Sequence, residues 1–172
     1  MENQKTASKT STLIVNAMIA ALYVVLTLVI APLSQGAIQL RISESLNHLV
    51  VFNKKLLWGV LAGVVMFNLF FSQGGLMDVL FGGGQTLIAL SITAWSAKYV
   101  KSAKIRLAIN TLVFSISMVL IAIMICMLSG FAVGSHFFWV TYGTLFLSEF
   151  IMMAISAPVM YYINKSVHFN RF

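Results

Sequence analysis

Apolar stretches alternate with short polar or basic breaks along the whole chain, and six such stretches can be distinguished. In hydrocarbon every backbone amide needs a partner within its own segment, so each stretch is predicted to be a helix. The predicted helices cover about residues 12–31, 38–52, 56–71, 77–97, 107–128 and 137–163. The second and third are shorter than the roughly 20 residues of a perpendicular span. We expect these two to stop short of one interface or to be covered partly by protein.

Composition indicates that a membrane surrounds these helices. The 172 residues are 60% hydrophobic and 9% charged, whereas a soluble domain carries about 25% charged residues. A small soluble domain could not hide that much apolar surface. We therefore predict one all-α membrane domain over residues 1–172, a compact bundle of six transmembrane helices with a tail at residues 1–11.

The basic residues lie in short clusters between the apolar runs, so the net charge of +7 is a topology signal and no nucleic-acid partner is expected. In an even-numbered bundle, ten of them fall on one side, and their excess identifies that side as the cytoplasm. They are Lys5, Lys9, Lys54, Lys55, Lys98, Lys101, Lys104, Arg106, Lys165 and Arg171. Both chain ends are therefore predicted to be cytoplasmic, in a multi-pass protein of a cell membrane in contact with lipid.

Three acidic residues, Glu44, Asp78 and Glu149, fall in the outward-facing halves of predicted helices or near their mouths. Arg41 is the only base on that side. Charged groups are costly at membrane depth, so their concentration in one half of a small bundle predicts a shared polar cavity that opens outward.

The second predicted helix carries one polar face. On an α-helix, Arg41, Glu44, Ser45 and His48 lie within about 100° of one another. One interpretation is an Arg41–Glu44 ion pair, with His48 bonded to a neighbouring backbone. The other is a ligand site, and both can hold, because a paired arginine would orient the carboxylate toward a ligand.

The fourth predicted helix carries Asp78, Gly82, Gln85 and Ala89 on one stripe. Asp78 suits a ligand contact and equally suits a cap of the helix that it enters. The glycines at 82–84 lack the spacing and lysine of a phosphate loop, so close helix packing or approach to a ligand explains them better.

The last predicted helix places Phe138, Tyr142, Phe146 and Glu149 at three-to-four spacing, with Trp139 beside them. Aromatic residues at this depth usually form an interfacial belt, which is the stronger interpretation for Trp139. For Tyr142 the nearby Glu149 indicates an inward face. A carboxylate below an aromatic wall suits a planar, hydrogen-bonding ligand, including one that carries a positive charge.

Other features limit the choice of function. Ala17 and Ala21 form a small-xxx-small pair on the first helix, which allows another helix to approach closely. Cys126 is the only cysteine and lies in an apolar run, so neither a disulfide nor a thiolate metal site is expected. The sequence contains no HExxH, GxSxG or comparable constellation, so no catalytic residues and no cofactor are predicted.

Several runs of this sequence resemble the QueT family, the substrate-binding S components of energy-coupling-factor (ECF) transporters assigned to queuosine precursors. The most specific is RISESLNHL at residues 41–49. The others are residues 58–59, 68–72, 75–82 and 85–86. The resemblance implies an S-component fold and partners that supply energy, namely a transmembrane coupling subunit and two ATPase subunits. It also implies docking through Ala17 and Ala21, and a prokaryotic cell membrane.

The resemblance further implies a gating loop between the first two helices, where Pro32 and Gly36 lie, and a 7-deazaguanine ligand. The ligand would be the aminomethyl or cyano precursor or queuine. Glu44 or Glu149 would bind the guanine edge, and Asp78 an ammonium group. The supporting candidates are Arg41, Asn47, His48, Gln85, Trp139 and Tyr142. Three acids around one site would favour the cationic aminomethyl compound.

Two other classes of protein are compatible with some of these residues. A stand-alone secondary carrier or channel for a small cationic or heterocyclic solute would use the same acids, although no inverted repeat is evident. An intramembrane enzyme ranks far lower, because Ser45 and His48 lack an evident oxyanion site.

Overall fold

The computed structural model describes residues 9–30, 41–72 and 74–172. The predicted gating loop with Pro32 and Gly36 lies outside these ranges, as do residues 1–8 of the tail and residues 38–40 of the second predicted helix.

The described residues form six helices, here α1 to α6, and no strand, which confirms the predicted all-α class. The helices are α1 (Lys9–Ile30), α2 (residues 42–52), α3 (Lys54–Phe71), α4 (Leu76–Ser96), α5 (Ala103–Ser129) and α6 (His136–Val167). A short 3-10 turn, Phe169–Arg171, follows α6. Five helices, all except α2, are long and apolar enough to cross a membrane. The side on which the chain ends lie remains a prediction.

The short helix α2 differs from the regular α-helix that the sequence predicts. It is a 3-10 helix over Ile42–His48 and an α-helix only over Leu49–Phe52. Side chains three residues apart eclipse in a 3-10 helix, so Glu44 shares a face with Asn47, and Ser45 with His48. Nearly all of α2 is buried, with its 3-10 part against α1 and α6 and its α-helical part against α4 and α5. Protein rather than lipid therefore surrounds this segment, in agreement with the expectation that protein partly covers it.

A buried polar network attaches α2 to the helices around it. His48 Nε2 lies 3.0 Å from the Met153 carbonyl oxygen, and His48 Nδ1 lies 3.0 Å from Asn110 Nδ2. A carbonyl only accepts, so Nε2 carries the proton and Nδ1 accepts from the Asn110 amide. The Thr93 hydroxyl donates to Asn110 Oδ1 at 2.7 Å. The network thus joins α2 to α4, α5 and α6.

Two glycines bring α3 close to α1. A Cβ at Gly59 would lie 2.7 Å from the Asn16 carbonyl oxygen, and a Cβ at Gly63 would lie 2.6 Å from Tyr23 Cβ. The Gly59 amide donates to Asn16 Oδ1 at 2.7 Å. This Gly-xxx-Gly pair, which was not predicted from the sequence, makes the close α1–α3 contact inside the bundle.

The glycine run of α4 produces a local change of helical pitch. Residues Val79–Gly83 form a π-helical turn between α-helical segments. A Cβ at Gly82 would lie 2.5 Å from Asn68 Nδ2. The small residues therefore allow α3 and α4 to approach each other, in agreement with the packing interpretation.

The segments that carry most of the bases meet at one end of the bundle. Asn53 Nδ2 donates to the carbonyl oxygens of Phe169 and Phe172, and the rings of Phe52 and Phe169 stack. Lys104 and Lys165 both lie over the Tyr161 ring. We call this the basic end.

Candidate ligand-binding site

A polar cavity of about 240 Å³ lies between the first five helices. Its lining combines carboxylate, guanidinium, amide, hydroxyl, aromatic and aliphatic groups. These residues are Tyr23, Thr27, Arg41, Glu44, Val64, Phe67, Asn68, Ser72, Asp78, Gly82, Gln85, Thr86, Ile121 and Met124. The described part of the chain thus contains one chamber where both signs of charge converge in a largely apolar bundle.

Four of the predicted site residues line this cavity: Arg41, Glu44, Asp78 and Gln85. They come from the start of α2 and from α4, segments that are separated by α3 in sequence. Glu44 and Asp78 bring two carboxylates to the same space. The expectation of a shared polar cavity is therefore met by two of the three acids.

Glu44 is buried, with only 5% of the residue exposed, and two side chains donate hydrogen bonds to its carboxylate. The Tyr23 hydroxyl donates to Oε1 at 3.0 Å, and Asn47 Nδ2 donates to Oε2 at 2.5 Å. Each carboxylate oxygen offers two acceptor positions, so each can still accept a hydrogen bond from a ligand. Asn47 does not line the cavity, and its contact with Glu44 makes it a positioning residue.

Asp78 is oriented by the loop that precedes α4. Its Oδ2 accepts from the Gly74 amide at 2.9 Å, and Asn68 Nδ2 donates to its carbonyl oxygen at 3.0 Å. A Cβ at Gly74 would collide with this carboxylate at 2.6 Å. The Gly74 bond satisfies a backbone amide just before α4 begins, so Asp78 has a local structural role and also lines the cavity.

Gln85 contributes an amide to the cavity wall. It is buried, and its Nε2 donates to the Ser117 hydroxyl at 2.8 Å. This contact leaves the second amide hydrogen and the carbonyl oxygen to other partners, among them the Thr86 hydroxyl at 3.4 Å. The side chain can therefore recognise either a donor or an acceptor.

Glu149 does not line the cavity. It is 4% exposed, and its Oε1 has no hydrogen-bond partner among the described residues. Both Glu44 and Arg41 lie within electrostatic range of it. An isolated buried charge is costly, and Arg41 is the basic residue whose field reaches Glu149.

Three other predicted residues do not reach the cavity. His48 is fully buried and uses both ring nitrogens in the network with Asn110 and Met153, so the backbone-bonded interpretation applies. Trp139 is 61% exposed on the outer surface, as expected for an interfacial belt. The Tyr142 hydroxyl donates to the Ile116 carbonyl at 3.4 Å, away from the lining. His48 does not reach the cavity because the 3-10 pitch of α2 turns its side chain away from Glu44.

Several lining residues were not predicted from the sequence, above all Tyr23, Thr27 and Asn68. Tyr23 and Thr27 are four residues apart, one helical turn, in an otherwise apolar run. That spacing is the signal that could have identified them. Asn68 begins the run at residues 68–72 that carries part of the family resemblance, but it was assigned no role in the site.

Ala17 and Ala21 lie on an exposed face of α1. Their neighbours Leu13, Met18 and Val25 are also exposed, and α1 is the least buried of the spanning helices. This face is open to lipid or to another protein.

Two comparisons with known proteins agree with each other. Residues 13–165 match the sequence pattern of the QueT transporter family. The chain is also similar to a protein of Lactococcus lactis subsp. cremoris (strain MG1363) named "Queuosine precursor transporter QueT". The two are 35% identical over 173 aligned residues, which cover 95% of this chain and 98% of the relative. No solved structure matches the chain significantly.

Proposed function

Because the chain belongs to the QueT transporter family, we propose that it captures a queuosine precursor outside the cell and delivers it to an ATP-driven importer of the ECF type. Membership in a transporter family and five helices able to cross a membrane support a multi-pass protein with an uptake role. The type of energy coupling and the precursor itself are parts of the proposal.

The observation that carries the proposal is the convergence of Glu44, Asp78, Arg41 and Gln85 on one cavity. Its volume, about 240 Å³, lies below the roughly 300–1,000 Å³ typical of sites for drug-sized ligands. It therefore suits a small fused heterocycle. The Phe67 ring and the aliphatic side chains of the lining supply apolar contact for such a ring.

Glu44 is the best placed group for the guanine-like edge of a 7-deazaguanine. That edge presents neighbouring N–H donors, which a carboxylate accepts in pairs. Tyr23 and Asn47 hold the Glu44 carboxylate in one orientation before a ligand arrives. Glu44 precedes α3 in the sequence and Asp78 follows it. Asp78 is the candidate residue to bind the ammonium group of an aminomethyl substituent.

Energy would come from partner subunits. The sequence contains no GxxxxGK[ST] motif that could bind ATP. In our proposal a transmembrane coupling subunit docks on the exposed face of α1 at Ala17 and Ala21, and two ATPase subunits drive release. The gating loop at Pro32 and Gly36 completes the proposal, outside the described residues.

Calorimetric titration of the purified full chain with 7-aminomethyl-7-deazaguanine, 7-cyano-7-deazaguanine and queuine tests the ligand. We expect at least one of them to bind and Glu44→Gln to weaken that binding by at least about tenfold, or about 1.4 kcal/mol. Glu149→Gln, a matched change off the lining, should weaken it less. Absence of binding by all three compounds would contradict the proposed ligand class.

Reconstituted vesicles test the energy source. Uptake of the bound compound should require the coupling subunit, both ATPase subunits and ATP. Uptake by this chain alone, without ATP, would instead favour a secondary carrier that uses the same cavity.

A further inference from the structure

A second concave surface, distinct from the polar cavity, lies between α5 and α6. Its volume is about 670 Å³. It is lined mainly by apolar residues at helical spacing, with two lysines and two tyrosines at one end. On α5 these are Lys104, Leu107, Ala108, Thr111 and Leu112, and on α6 Phe150, Ala154, Ala157, Pro158, Tyr161, Tyr162 and Lys165. We call this surface the α5–α6 groove.

From this groove we infer a binding site for one phospholipid with an anionic headgroup. The apolar length of the groove would hold an acyl chain, and Lys104 and Lys165 would bind the headgroup phosphate. The site is independent of the proposed transport function, since it shares no lining residue with the polar cavity.

The charge at the end of the groove favours an anion. The ammonium groups of Lys104 and Lys165 lie 5.8 Å and 5.1 Å from the centroid of the Tyr161 ring, and Lys165 also lies 5.3 Å from the centroid of Tyr162. Two like charges near the same ring repel each other, and an anion bound close to both would relieve that repulsion. No acidic residue occurs among the described residues that line the groove.

The shape of the groove favours a lipid over a free anion. Small side chains, Ala108, Ala154 and Ala157, leave room between the two helices, whereas Leu112 and Phe150 stand exposed at its margin. From Tyr161 to Phe150 an α-helix rises by about 16 Å. That is about the depth of one leaflet in a hydrocarbon core of roughly 30 Å. An acyl chain whose headgroup lies at the lysines would therefore run along the groove.

The position of the lysines at the basic end agrees with this occupant. Basic pockets between transmembrane helices bind anionic headgroups on the side where lysine and arginine are in excess. Tyr162 is 66% exposed beside them, as expected for a ring at the level of the headgroups.

Native mass spectrometry of the purified chain with phosphatidylglycerol or phosphatidylcholine of the same acyl chains tests the site. We expect the wild-type protein to retain one phosphatidylglycerol in preference to phosphatidylcholine. In Lys104→Gln/Lys165→Gln this preference should fall by about tenfold. Lys54→Gln/Lys55→Gln, which removes two exposed lysines of the basic end outside the groove, should leave it unchanged.

Further experiments separate the contribution of the lysine charges from that of the apolar groove. Lys104→Arg/Lys165→Arg should keep the preference, because it keeps both charges. Ala154→Phe should reduce retention of both lipids by filling the groove. Glycerol 1-phosphate, which has a headgroup phosphate without chains, should not displace the bound lipid.

Three results would overturn the inference: equal retention of the two lipids by wild type, equal losses in the two lysine-to-glutamine variants, or displacement by glycerol 1-phosphate. Occupation of the groove by a second copy of the chain would also overturn it, and would show as a dimer that Ala154→Phe disrupts.

Discussion

The Tyr23 hydroxyl donates a 3.0 Å hydrogen bond to Oε1 of Glu44, and this contact joins the first spanning helix to the short helix at the centre of the bundle. Both groups line the polar cavity. The contact therefore connects the candidate docking helix α1 directly to the candidate ligand-binding carboxylate. A displacement of α1 would change the position of the hydroxyl that orients Glu44.

Removal of this donor should affect both stability and binding. In Tyr23→Phe, Glu44 Oε1 loses its buried donor, which should cost about 1–3 kcal/mol of unfolding free energy. Ligand affinity should fall as well, because the carboxylate is no longer held in one orientation. Thermal unfolding and titration measure the two effects. Tyr99→Phe, at an exposed tyrosine outside the cavity, is the control and should change neither.

The role of Asp78 can be separated from that of Glu44 by the charge of the ligand. Asp78→Asn should weaken binding of the cationic aminomethyl compound by about tenfold, because a charge-assisted contact becomes a neutral one. The neutral cyano compound should bind with little change. Parallel titrations measure both affinities. Equal losses for the two compounds would place Asp78 away from the ammonium group.

His48 should matter for the fold and not for the ligand. His48→Leu leaves the buried Asn110 amide without the His48 acceptor and removes one of the donors to the Met153 carbonyl. The expected loss of unfolding free energy is about 1–3 kcal/mol. Affinity per folded molecule should be unchanged, since His48 does not line the cavity. His136→Leu, at an exposed histidine, is the control for stability.

The close contact between α1 and α3 should not tolerate a methyl group at Gly63. The added Cβ would lie 2.6 Å from Tyr23 Cβ, so Gly63→Ala should destabilise the protein by about 1–3 kcal/mol. It should also weaken ligand binding by displacing Tyr23. Gly143→Ala makes the same chemical change in α6, where nothing lies within 4 Å of the new Cβ. That control should be neutral or stabilising, because alanine is the better helix former.

A larger side chain on the exposed face of α1 should impair transport without changing ligand binding. Ala17→Leu should leave binding to the purified chain unchanged, because Ala17 is exposed and lies outside the cavity. ATP-dependent uptake with the coupling subunits should fall strongly, because a larger side chain prevents close helix approach. Ala62→Leu, at an exposed alanine of α3, is the matched control. Full uptake by Ala17→Leu would remove α1 from the proposed docking surface.

Much of the fold could be predicted from hydropathy because lipid leaves so few solutions. A backbone in hydrocarbon must satisfy its own hydrogen bonds, so each long apolar run becomes a helix. The five spanning helices accordingly begin and end within a few residues of their predicted bounds. The same constraint made the charged residues conspicuous, and Arg41, Glu44 and Asp78 do share a cavity with Gln85.

Only the tertiary structure decided which polar groups meet. The 3-10 pitch of α2 turns His48 toward Asn110, and the π-turn of α4 lies where Asp78, Gly82 and Gln85 reach the cavity. Tyr23 became a partner of Glu44 because Gly63 lets α1 approach α3 closely. Helical periodicity describes one segment at a time, whereas these contacts depend on how close and at what pitch several segments pack. The residue pattern therefore determined which segments are helices and which polar residues they carry. Packing determined which of those polar residues meet in the candidate site.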